Sequence, residues 1–117
     1  MPADISVDKD YKVGDGKVSL SLVIGDGQFG RTEVRLNTQR LVRVSGSIGD
    51  LIIGDGADVE GKTLRIRSIV HDTVAATNKM SVTYKLSGGT RDVQFTSKGA
   101  VTQDGGNLVF DANVSLT

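Results

Sequence analysis

The sequence predicts an all-β fold, an antiparallel β-sandwich of about eight strands, jelly-roll or immunoglobulin-like, with no significant helix. Three observations carry that expectation. Apolar and polar residues alternate over short runs, 15 glycines stand against a single proline in 117 residues, and turn-forming clusters separate the runs at the spacing usual in sandwiches. Aromatic residues make up only 4% and tryptophan is absent, so aliphatic alternation must build the core. The glycines have no period of three and charge is balanced, which sets aside collagen-like and disordered chains.

Each strand is justified in turn by period-two alternation. Ile5 to Val7 is a weak first strand. Val18, Leu20, Leu22 and Ile24 share one face of Lys17 to Ile24, with Lys17, Ser19 and Ser21 on the other. Thr32, Val34 and Leu36 face inward between Glu33 and Arg35, and Arg40 to Ser45 follows the polar connection "NTQ". Leu51 to Ile53 is a brief apolar run between two Gly-Asp steps. Leu64, Ile66 and Val70 oppose Arg65 and Arg67, and Met80, Val82, Tyr84 and Leu86 oppose Ser81, Thr83 and Lys85. "SGG" at Ser87 to Gly89 predicts a tight hairpin into Arg91 to Thr96, with Val93 and Phe95 inward. "QDGGN" leads into Leu108, Phe110, Ala112, Val114 and Leu116, the longest strict alternation. Only Val74 to Ala76 could hold a helical turn, within a segment too short and polar for more.

The length suits one domain over residues 1–117, with 1–16 as a candidate peripheral N-terminal arm. Fourteen basic against fourteen acidic residues argue against nucleic acid or an anionic membrane as the main partner. The absence of cysteine removes disulfides, thiolate catalysis and cysteine-based metal sites. "MPADISVDKD" has neither the basic nor the apolar region of a signal peptide, and no apolar run is long enough to cross a bilayer. The expectation is a soluble chain, cytoplasmic when synthesised, with no membrane insertion.

Three triplets, in "KVGDG", "VIGDG" and "IIGDG", raise the question of a binding device. Glycine takes positive φ freely and aspartate tolerates the left-handed region, so turn punctuation is the simpler reading. Asp15 and Asp26 flank a strand of roughly 26 Å at the usual rise, which places them at opposite ends of the fold. The functional alternative is calcium, for which Asp50, Asp55, Asp58 and Glu60 are the candidate ligands, although the ligand ladder of a dedicated calcium loop is missing.

Catalytic material is thin. His71 is the single histidine, its neighbours Asp72 and Thr73 diverge from it on a strand end, and no motif selects a nucleophilic serine. Glu33 and Glu60, the two glutamates, have no aromatic platform for a sugar ring beside them, and Tyr11 alone remains as a candidate exposed ring. "GDGKVS" precedes a strand where a phosphate loop would precede a helix. The sequence reads as a non-enzyme without a resident cofactor.

Arginines are more suggestive. Arg31, Arg35, Arg40 and Arg43 meet only Glu33 in their stretch, and Arg65 and Arg67 share one face of another strand. A solvated outer sheet with cross-strand ion pairs would account for them; the sharper reading is that these six dock an acidic partner or the acidic stretch of a second copy. The functional expectation is a non-catalytic structural or interaction module, a homo-oligomer or a subunit among other proteins, self-associating through sheet edges. The alternative is a ligand-binding module for calcium or carbohydrate using loops at one end of the sandwich.

Overall fold

The computed structural model describes residues 3–25, 28–71, 79–101 and 106–117. Nine strands form: β1 (Ala3–Tyr11), β2 (Lys17–Ile24), β3 (Phe29–Leu36), β4 (Gln39–Ser45), β5 (Ile48–Asp55), β6 (Thr63–His71), β7 (Lys79–Ser87), β8 (Val93–Ala100) and β9 (Asn107–Leu116). A four-residue helix, α1 (Gly56–Val59), follows β5 where the third triplet had suggested only a turn. The helical turn suggested at Val74 to Ala76, the triplet residues Asp26 and Gly27, and most of "QDGGN" lie outside the described residues.

The strands form two sheets, ordered β1-β9-β6-β3-β4 and β5-β2-β7-β8. Every pairing is antiparallel except β1 with β9, which run parallel from Ala3 opposite Leu108 to Tyr11 opposite Leu116. The sandwich is thus mixed where full antiparallel pairing was expected. The first segment is a nine-residue strand on the edge of its own sheet, longer than Ile5 to Val7.

The inward faces meet in one core. Val18, Leu20 and Leu22 of β2 and Met80, Val82 and Tyr84 of β7 pack against Val34 of β3, Ile66 of β6 and Phe110 and Val114 of β9. Strand alternation carries this burial directly: β2 and β7 have every second residue buried. Thr32 and Ser68 also face inward as a fully buried hydroxyl pair 2.8 Å apart, each satisfying the other. Tyr84 stacks on Phe95 at 4.8 Å between ring centroids, and its buried hydroxyl lies near Ser97 without a hydrogen bond of good geometry. Burial pushes the Tyr84 phenol well above its ordinary value, so it stays neutral.

Tyr11 departs from expectation. It is 2% exposed, not an available ring. Its hydroxyl donates to the Arg91 carbonyl at 2.8 Å and accepts from the Gly89 amide at 2.9 Å. This anchorage also explains why the β7–β8 hairpin is looser than "SGG" implied. Residues 88–92 remain outside the ladder, and the Thr90 backbone N–H donates a hydrogen bond to the Lys12 carbonyl. Tyr11→Phe should leave an amide and a carbonyl unpaired in a partly buried setting and lower unfolding free energy by about 1–2 kcal/mol. Urea titration is the check, and an unchanged midpoint would show that water replaces the phenol at no cost.

The first and third triplets meet at one end of the sandwich. The Gly56 amide donates to the Gly16 carbonyl at 2.9 Å, and the backbone of Gly14 lies so close to Gly56 that a Cβ there would strike the Gly14 carbonyl. Asp55 beside them forms a 3.5 Å ion pair with Lys17. In these two triplets glycine serves close backbone packing as well as turning.

Candidate functional site

The outer face of the five-stranded sheet gathers the arginines, and strand register explains how. Side chains on one face recur every second residue, so Glu33 and Arg35 of β3 share the face that carries Arg65 and Arg67 of β6 and Asp111 and Asn113 of β9. One row across the sheet runs Ser6, Asp111, Arg67, Glu33, Arg43, alternating in charge after the serine. The next runs Asp8, Asn113, Arg65, Arg35, Arg40 and does not alternate. Together the rows line a shallow groove that includes Ser6, Glu33, Arg35, Arg65, Arg67, Asp111 and Asn113.

Pairing within the face is unequal. Arg67 Nε donates to Asp111 at 3.0 Å across the β6–β9 ladder, and Arg35 Nε donates to Glu33 at 2.6 Å along its own strand. Among the described residues Arg31, Arg40, Arg43 and Arg65 make no ion pair. Arg35 stands directly opposite Arg65 on one side and Arg40 on the other, a like-charge alignment that costs stability unless something negative covers it.

Glu33 registers this field. The hydrogen bond from Arg35 holds its carboxyl below the usual carboxylate range, and the charges of Arg35, Arg40 and Arg43 add to the effect against some desolvation. Because the folded value is the lower one, any stabilisation from Glu33 is present at neutral pH and is lost as pH falls through that value. The Glu33 carboxyl should titrate below ordinary glutamate by NMR and move back up in Arg35→Ala; a titration unaltered by that substitution would show that the contact does not form in solution.

The six arginines named from the sequence therefore fall on one sheet, on β3, β4 and β6. The acidic set does not converge. Asp50 is exposed on β5, Asp55 pairs with Lys17, Asp58 lies in α1 and Glu60 follows it; among the described residues no three acidic or histidine side chains come together as a metal-binding group. His71 hydrogen-bonds Asn107 across the β6–β9 ladder.

Sequence reasoning missed the acidic side of the arginine-bearing sheet. Asp8 and Asp10 are exposed on β1, with Asp8 accepting from Asn113 at 3.2 Å. Their alternation with Val7, Lys9 and Tyr11 was the available signal, obscured by Lys9, whose ammonium sits 5.5 Å over the Phe95 ring. No helix among the described residues is long and apolar enough to cross a membrane. Comparison of the chain with protein-family models, with curated proteins and with solved structures finds no match.

Proposed function

We propose that this chain is a non-catalytic structural module that self-associates through its sheet edges. The observation that carries the reading is where incomplete burial falls. Of the apolar residues that pack on the core yet stay partly exposed, Ile5, Val7, Leu41, Val42, Val44, Leu51, Val93 and Phe95 all belong to the four edge strands β1, β4, β5 and β8; Val13 and Val101 are the exceptions. Those same strands have a ladder partner on one side only among the described residues. A strand added from a second copy would satisfy the open backbone groups and extend the cover over these side chains.

The exposed arginines favour the same partner. A polar outer face with guanidiniums left without carboxylates suits a contact that supplies acid, and this chain carries exposed acids of its own on β1 and β5. Light scattering on the whole chain over a concentration series is the test. Mass should rise above that of one chain at low ionic strength and fall back as salt screens the charged contacts. A chain that stays monomeric at high concentration and low salt would refute the reading.

A further inference from the structure

Resting on that self-association, we infer that copies join head to tail, the β1 edge of one chain pairing with the β4 edge of the next. Charge distinguishes the two edges of the five-stranded sheet. β4 exposes Arg40 and Arg43 and contains no acidic residue, whereas β1 exposes Asp8 and Asp10 on its outer face, the exposed Lys9 between them turning to the other face over Phe95. A symmetric β4–β4 contact would set arginines against arginines, and a symmetric β1–β1 contact would set aspartates against aspartates. Both are disfavoured, and the mixed contact is complementary.

Strand direction permits the same arrangement. In an all-antiparallel five-stranded sheet the two edge strands would point the same way. The single parallel pairing, β1 with β9, reverses this, so β1 and β4 run in opposite directions. A second copy shifted sideways in the sheet plane, with its outer face on the same side, therefore meets β4 in antiparallel sense. With Arg43 set opposite Asp8 of the next copy, Arg40 comes opposite Asp10, because the irregularity in β4 places Arg40 one pleat period beyond Arg43.

The second sheet agrees. β1 and β8 flank one side of the sandwich, where Ile5 lies close to Gly99 and Lys9 covers Phe95, and β4 and β5 flank the other, joined through Gly46 and Ser47. β5 and β8 also run antiparallel. A five-strand repeat of about 24 Å would leave β5 about 10 Å from β8 of the next copy. That is too far for a ladder, so the join rests on the five-stranded sheet. Because the joined surfaces differ, each added copy leaves a free edge of each kind, and growth continues unless a ring closes.

Two charge-reversed chains test the polarity, one Arg40→Glu with Arg43→Glu, the other Asp8→Lys with Asp10→Lys. Each alone should remain monomeric where the unaltered chain assembles, and an equimolar mixture should regrow beyond dimers, since acidic β4 then meets basic β1 and the reverse. Either variant assembling alone like the unaltered chain would overturn the inference, as would a mixture that never exceeds a dimer. The cysteine-free sequence gives a second readout that does not depend on charge reversal. Asp8→Cys and Arg43→Cys chains should form disulfide-linked pairs with each other under an added oxidant and not with themselves. Self-linked pairs, or assembly without mixed pairs, would overturn the polarity while leaving self-association standing, whereas an unaltered chain that is monomeric would defeat both.

Discussion

Phe110→Ala should lower unfolding free energy by about 3–5 kcal/mol. Phe110 has no exposed surface, sits on the inward face of β9 and lies opposite Ser68 of β6 and Ile5 of β1. Deleting the ring removes its transfer free energy and leaves a cavity between two sheets whose ladders resist collapse. Denaturant titration should show a lower midpoint with the slope retained. Phe110→Leu, which keeps most of the volume, should recover much of the loss. Equal losses for the two would mean that the ring does not fill the space between the sheets.

Gly88→Ala should cost about 3 kcal/mol for two separable reasons. Gly88 adopts φ +88°, where an L side chain is strained by about 1–2 kcal/mol, and a Cβ there would also strike the carbonyl oxygen of Lys17. Gly46 supplies the comparison, with a similar φ of +85° and nothing within 4 Å of a Cβ. Gly46→Ala should therefore show the conformational part alone. Equal effects at the two sites would indicate that the hairpin after β7 can move away from β2.

Alternation made most of this fold legible. β2, β6, β7 and β9 appear in the sequence nearly as they fold, because each buries one complete face in the core. Edge strands were shorter on the page than in the molecule. β5 spans Ile48–Asp55 although its apolar signal was confined to Leu51 to Ile53, since Ile48 pairs with Leu22 and Gly54 with Val18 on β2, while Gly49 and Asp50 fall in the irregularity of that ladder. The parallel union of β1 and β9 joins residues about a hundred positions apart, a register that no local pattern encodes.

The candidate face was legible in composition and not in arrangement. Arg65 and Arg67 could be assigned to one side of a strand, but their neighbours depend on how β3, β6 and β9 align. The same register pairs Arg67 with Asp111 and sets Arg65 against Arg35, so one arginine is neutralised while the next confronts a like charge. Tyr11 was misjudged because Lys9 interrupts the inward series of β1, and the cation over Phe95 accounts for that interruption.

Amide hydrogen exchange in dilute and concentrated solutions of the whole chain tests edge association most directly. Amides of β1 and β4 that point away from β9 and β3 have no ladder partner among the described residues of a single chain. They should exchange more slowly as concentration rises at low salt, while amides of β6 and β9, already paired on both sides, should not change. Exchange at β1 and β4 that is independent of concentration, or slowing confined to the connecting loops, would contradict association through these edges.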